Sequence, residues 1–479
     1  MKNVFVLLAI FVVNAFSLSA GMANDKPNIL FVFADDQCYQ TIRSLGNEEV
    51  LTPNLDRLVR EGTTFSHCYN MGGWNGAICV ASRTMINTGR YLWHANELDD
   101  SLAEEVEAGR FWSEYMKSAG YRTYMTGKWH VRFPADQTFD VTGHIRGGMP
   151  SQTDEGYNRP IEGQTDVWSP YDTKFGGFWE GGTHWSEVVG NEAVGFLSEA
   201  AGIDDPFFMY IAFNAPHDPR QSPKEYVDLY PEANIKVPVN FLPEYPYKDD
   251  MGCSAKLRDE KLAPFPRTEF SVRVNRQEYY AIITHMDAQI GRILDALDAT
   301  GKRDNTWIFF TADHGLSVGH HGLIGKQSQY DHSVRVPFMV VGPGVEAGRS
   351  ISAPIYLQDV MPTTLELAGI EKPEHVDFHS LLPLLESDVP QTNYPAIYGG
   401  YIDLQRMVTQ NGYKLILYPK IGRARLYNLV SDPWEMNDLF EEEGTQAISR
   451  KLFDSLLKLQ KENGDKLDLV SAFPNLAGT

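Results

Sequence analysis

Cys79-Val80-Ala81-Ser82-Arg83 packs the most chemistry into the fewest residues of this chain. A thiol becomes a nucleophile and a metal ligand once ionised, although a single cysteine serves equally well as a small buried hydrophobe. Arg83 follows four residues later, one helical turn on, so in a helix it shares a face with Cys79. At a helix N-terminus the thiol would lie beside free backbone N–H groups, a setting that suits an anion. Two clusters of hard ligands lie far away in sequence, Asp35-Asp36 and Asp313-His314. Either alone could cap a helix or shape a turn. Brought together they repel each other and call for a divalent cation. Mostly oxygen ligands favour Ca2+ or Mg2+ over Zn2+. Lys128, His130, His217 and Lys326 complete the set of acids, bases and cations. Each alone reads as a satisfied structural histidine or a solvated lysine; the set together reads as a site.

These groups share a position relative to apolar runs. Residues 28–33 run into Asp35-Asp36, 121–125 into Lys128 and His130, 206–213 into His217, and 307–311 into Asp313-His314. Continuous apolar runs of this length predict strands buried on both faces. Helical patterns lie between them: 52–59 with Pro53 at its start, 111–119 stopped by Gly120, and 274–299 stopped by Gly301. Alternating strands and helices predict an α/β fold, a doubly wound and mostly parallel sheet. Such folds bind ligands at the carboxyl ends of their strands, where the Asp, Lys and His residues would converge.

Residues 133–185 are rich in Gly, Asp and aromatics with little periodicity, and predict a loop-rich insertion over the site. Trp93-His94, His184-Trp185 and Arg220 could form sugar-stacking or anion-reading subsites, or simply pack the loops. After about Val389 the pattern changes to short strands and a final helix over 447–462. This predicts a small antiparallel α+β subdomain, 390–479, beside a catalytic domain, 24–389.

With 479 residues, 43% hydrophobic and 22% charged, the chain suits a large globular domain plus a smaller one. A formal net charge of −21 and the lack of a basic run argue against nucleic acid. Lys2, an apolar run to Phe16 and a small-residue end at Ala23 read as a cleaved secretory signal over 1–23, too short to span a bilayer. No later run is long enough to span one, so a periplasmic or extracellular protein is expected. No Asn-x-Ser/Thr sequon occurs, which favours a bacterial source.

Taken in order, residues 28–37, 79–90, 126–130, 215–219, 311–337 and 426–439 resemble the type I, formylglycine-dependent sulfatases of the alkaline phosphatase superfamily. The cysteine box and the Asp-His-Gly stretch through Lys326 are the most specific segments. The resemblance implies that a maturation enzyme oxidises Cys79 to formylglycine, whose hydrate attacks sulfate esters. It implies Ca2+ on Asp35, Asp36, Asp313, His314 and the modified Cys79, with Asn in many relatives where His314 stands here. It assigns Arg83 to holding the formylglycine and Lys128 and Lys326 to the sulfate. His130 becomes the base for elimination, His217 the donor to the leaving oxygen, and His321 a substrate-positioning residue. Ala81 resembles the Ala-type box of some bacterial sulfatases, where many relatives carry Pro. With Cys79 modified, Cys38, Cys68 and Cys253 allow one disulfide at most, Cys38–Cys68 among the choices. The expected substrate is a sulfated carbohydrate: an algal polysaccharide of carrageenan, ulvan or fucoidan type first, a glycosaminoglycan or aryl sulfate second. A phosphoester or phosphonate hydrolase of the same superfamily and a non-catalytic carbohydrate-binding protein are the alternatives.

Overall fold

The apolar runs form the middle of an eight-stranded sheet in the computed structural model, which describes residues 26–478. The signal expected over 1–23 lies outside the described residues. The strands are β1 (Asn28–Ala34), β2 (Thr63–Phe65), β3 (Arg122–Lys128), β4 (Val141–Arg146), β5 (Phe207–Ala212), β6 (Thr306–Ala312), β7 (Phe338–Val341) and β8 (Arg349–Ile351). Their order across the sheet is β8-β2-β7-β6-β1-β5-β3-β4. β6, β1, β5, β3 and β4 run parallel, and β7 is antiparallel to both its neighbours. Every residue of β1, β5 and β6 is buried, as unbroken apolar strands require.

Helices cover both faces. They are α1 (Pro53–Glu61), α2 (Ile78–Thr88), α3 (Trp112–Ser118), α4 (Trp185–Ala200) and α5 (Glu269–Ala299). Trp112 of α3 packs against Phe31, Phe208 and Tyr210. Tyr124 pairs in register with Met209, so it points away from the Phe208 face, and there it meets Phe196 of α4. A wrap on both faces makes this the doubly wound α/β architecture expected from the sequence. Thr268 and Ser271 form a reciprocal cap that starts the 31-residue α5.

A second sheet holds β9 (Ile397–Tyr401), β10 (Gln405–Gln410), β11 (Tyr413–Tyr418) and β12 (Arg423–Asn428), with α6 (Gln446–Glu462) packed on it. Its strands are antiparallel neighbours in chain order. Its far edge is the short strand Gly72–Gly73, which comes from the segment just before Cys79. The C-terminal sheet is thus tied into the region of the cysteine box.

One expectation is corrected, and two open points are answered for the described residues. The 133–185 segment is not all loop, because β4 extends the main sheet from within it. It is an edge strand with half-open residues and a central Gly143, so it lacks the apolar signal of a buried strand. No disulfide forms: Cys38, Cys68 and Cys253 are buried free thiols, as is Cys79. No helix of the described residues is long and apolar enough to cross a membrane.

Candidate active site

Four adjacent strands deliver the chemistry at their carboxyl ends. Ala34 is level with Ala312, Phe33 with Ala212, and Ala212 with Gly127. Asp35 and Asp36 therefore leave β1 beside Asp313 and His314 leaving β6. Lys128 ends β3 on the other side, and His217 lies five residues past β5. The register between β3 and β4 shifts between Met125 and Gly127, just before Lys128. Gly127 has φ +92°, and a Cβ there would stand 1.7 Å from the Ala212 carbonyl oxygen. Only glycine fits that close approach, which turns the strand end toward the site. Asp36 (φ 67°) and His130 (φ 55°) also adopt left-handed backbone. Such conformations cost on the order of 1–3 kcal/mol each and concentrate at functional sites.

Cys79 sits in the first turn of α2, buried, with its Sγ 3.3 Å from His130 Nδ1. The rest of the box clamps the end of β6. Ser82 Oγ donates to the Asp313 carbonyl at 2.9 Å, and Asn70 donates to the same oxygen at 2.7 Å. Arg83 donates from Nε to Asp313 Oδ2 at 3.0 Å and from one terminal nitrogen to the Lys128 carbonyl at 2.6 Å. Its guanidinium lies 4.6 Å above the Phe33 ring. One helix thus places the thiol and fixes the ends of β3 and β6. Ser82 was not among the sequence-predicted residues, although it stands inside the box.

On the opposite side, Lys326 donates to both Asp36 oxygens at 2.8 and 3.1 Å, and Lys128 pairs with Asp35. His217 Nδ1 donates to the Asp218 carbonyl at 2.7 Å, so the neutral ring carries its lone pair on Nε2. That nitrogen accepts from Lys326 Nζ at 2.9 Å. Burial, with Lys326 beside it, holds His217 well below the ordinary histidine range. Burial, with Lys128 and Arg83 nearby, pushes His130 down to about 3. Both imidazoles are neutral bases at pH 7. The proton shared in this corner is carried by Lys326, which donates it to His217 Nε2.

Asp35, Cys79, Asp313 and His314 present ligand atoms within 4.8 Å of one another, and Asp35, Asp36 and His217 do the same. Asp35 Oδ1 and His314 Nε2 are buried without a hydrogen bond. His314 Nδ1 donates to the Gly315 carbonyl at 2.9 Å, which leaves Nε2 3.2 Å from Asp36 Oδ1. Burial also pushes Asp36 well above the carboxylate range; Lys326 opposes this, and Asp35 and Asp313 add to it. These residues fit a hard divalent cation. The three carboxylates are already matched by Arg83, Lys128 and Lys326, so a dication would add positive charge that an anionic sulfate group offsets.

A sequence profile of the sulfatase family matches residues 27–370. The chain belongs to the sulfatase family. A second profile, of the C-terminal region of N-sulphoglucosamine sulphohydrolase, matches residues 319–462. This sulfatase, a sulfuric ester hydrolase, is 26% identical to an N-acetylglucosamine-6-O-sulfatase of Bacteroides thetaiotaomicron, over 92% of its own length and 87% of the relative's. It is 26% identical to an ulvan-active sulfatase of Formosa agariphila, over 92% and 82%. A solved structure of a protein with its substrate D-glucosamine-2-N,6-O-disulfate superposes with a TM-score of 0.71 at 23% identity, covering 92% of this chain and 99% of the other. That likeness shows the alkaline-phosphatase-like fold.

The expected sugar contacts fare unevenly in this sulfatase. His184 caps α4 by accepting from Ser186 N, bonds the Gln221 carbonyl through Nε2 at 2.9 Å, and stacks on Phe178. His321 is buried with Nε2 on the Glu435 carbonyl at 3.0 Å and its ring 4.0 Å from Tyr330. His94 is held by Asp377 at 2.9 Å and lies against the Gly464 turn of the C-terminal region. Arg220 is buried, donating to Asn275 at 2.8 Å above the Tyr279 ring. Trp185 is nearly covered by Arg146, whose guanidinium lies 3.7 Å from its ring. Sequence reasoning also missed Tyr279, which donates to the Asp36 carbonyl at 2.5 Å, and the Arg258–Asp218 pair behind His217. Tyr279 and Arg258 lie outside the motif segments, so nothing in the sequence marks them.

Proposed function

We propose that this sulfatase removes sulfate from a sulfated carbohydrate, using Cys79 matured to formylglycine and a divalent cation, Ca2+ first and Mg2+ second. The observation that carries the reading is the buried Cys79 thiol, 3.3 Å from the neutral base His130 and inside the cluster of Asp35, Asp313 and His314. Asp35, Asp36, Asp313 and His314 would hold the cation, and position 79 would be its fifth ligand. Formylglycine would supply a hydrated aldehyde as nucleophile, and the cation would supply charge neutralisation and a lowered hydroxyl pKa.

The chain's own residues divide the remaining work. Lys128 and Lys326, set on opposite carboxylates, bracket the sulfate and neutralise its oxygens. Lys326, through its contact with His217, provides the proton for the leaving alcohol. His130 accepts the proton whose loss lets sulfate depart. Arg83 and Ser82 keep Asp313 in place and so hold the ligand set rigid.

Two named relatives act on, or are active toward, sulfated carbohydrates, and this supports the substrate class. An ulvan-, carrageenan- or fucoidan-type fragment is the first substrate to test and a glycosaminoglycan fragment the second. Sulfate release is measured across such oligosaccharides, with phosphate and phosphonate esters as controls, for the wild type and Cys79→Ala in Ca2+ or EDTA. Release by the wild type alone, dependent on the cation, is expected. Activity retained in Cys79→Ala, or a preference for phosphorus esters, would overturn the proposal.

A further inference from the structure

Arg146 is the last residue of β4 and pairs in register with Lys128, the last residue of β3. Neighbouring strands lie about 4.8 Å apart, so Arg146 stands one strand-spacing outward from the lysine assigned to the sulfate. Its carbonyl accepts from Trp129 N at 2.9 Å, which fixes this end of β4 against the segment that leads to His130. Two residues on, Gly148 lies so near His130 that a Cβ there would be 3.4 Å from Nε2, and Asn214 ties the Gly148 carbonyl at 2.7 Å. The exit of β4 therefore forms the rim of the site on its His130 side.

The Arg146 guanidinium lies over Trp185 at 3.7 Å and has no hydrogen bond or ion pair among the described residues; its Nε is buried without a partner. The two nearby carboxylates are engaged elsewhere. Glu192 takes Thr126 and both the backbone and the ring of His144, and Glu180 takes Ser151. Among the buried arginines, Arg83, Arg159, Arg267 and Arg406 each meet a carboxylate, whereas Arg220 meets only the Asn275 amide. A half-buried guanidinium held flat by an aromatic ring, with its donors unspent, suits a planar or tetrahedral anion.

We propose that Arg146, seated on Trp185, reads a second anionic group, a carboxylate or a further sulfate, on the sugar whose sulfate ester is cleaved. The inference rests on the sulfated-carbohydrate reading above. It makes the preferred substrate at least doubly charged, and it makes Arg146 a specificity residue outside the reacting atoms.

The test uses matched oligosaccharides with one scissile sulfate and, beside it, a uronate carboxylate, a second sulfate or a neutral hydroxyl. Binding is measured by calorimetry, and kcat/KM by sulfate release, for the wild type, Arg146→Ala and Arg146→Lys in Ca2+. The wild type should favour a doubly anionic sugar over the neutral match. Arg146→Ala should lose about 10- to 100-fold on that sugar and change less than about twofold on the neutral one. Arg146→Lys should recover part of the loss, because an ammonium keeps the charge without the planar fork. The preferred arm identifies the anion. Equal losses on all sugars, or a wild type without preference, would overturn the proposal. Selective binding without any sulfate release would refute the hydrolytic reading and leave Arg146 standing.

Discussion

Arg83→Met tests whether the cysteine box is also a structural clamp. The Arg83 side chain has no solvent exposure, donates to Asp313 Oδ2 at 3.0 Å and to the Lys128 carbonyl at 2.6 Å, and packs on Phe33. Methionine fills most of the stem's volume but leaves the Asp313 carboxylate buried without its cation. Removing one partner of such a pair costs about 3–5 kcal/mol, a large share of a typical stability of about 5–15 kcal/mol. Urea unfolding in EDTA, followed by tryptophan fluorescence, measures the loss without a cation at the site. Asp313→Asn in the same background removes the orphaned charge, so the double variant should recover about half of that loss or more. Arg83→Lys keeps the charge and gives up the forked geometry, and should fall between. A loss below about 1 kcal/mol in Arg83→Met would refute the clamp.

His217→Gln should slow release from alkyl sulfates of sugars about 100-fold or more while sparing an aryl sulfate with a good leaving group, as a proton-donating corner requires; equal losses on both would contradict it. Asp35→Asn should abolish the Ca2+-dependent rise in Tm of the wild type, and an unchanged rise would show the cation elsewhere. Asp359 is pushed up to about 7 by burial, against hydrogen bonds from Tyr394, His379 and Tyr356. The folded state therefore keeps a proton that the unfolded state has released above about pH 4. Its contribution is complete below that pH and is lost as pH rises through 7, by on the order of 4 kcal/mol. The stability difference between wild type and Asp359→Asn should shrink over this window, and a flat difference would show that Asp359 does not titrate there.

The placement of the ligands was legible because the physics is one-dimensional. An apolar run must become a buried strand, and the first polar residue after it must emerge at the sheet's end. That argument located Asp35, Lys128, His217 and Asp313 before any geometry was known. The cysteine-to-arginine spacing likewise gave one face of α2. The argument failed where polar residues sit in neither pattern. β4 is an edge strand with glycine and mixed polarity, so its register with β3, and with it Arg146, left no periodic trace. His184 and His321 carry the composition of sugar contacts but spend both ring nitrogens on backbone, capping or another imidazole. Free Cys38 and Cys68 show the same limit, since thiols are compatible with burial and with bridging alike. Asp313 and Arg83 could be named singly, but that one bonds the other depends on how far a helix turns across a sheet end.

The central claim is that the residue encoded at position 79 is not the one that reacts. Peptide mass spectrometry of protein made with and without a co-expressed maturation enzyme, paired with sulfate release from the same samples, tests it most directly. The account predicts formylglycine at position 79 and a specific activity proportional to its fraction, with unconverted protein folded and inert. Full activity from protein whose peptide still carries cysteine would contradict it.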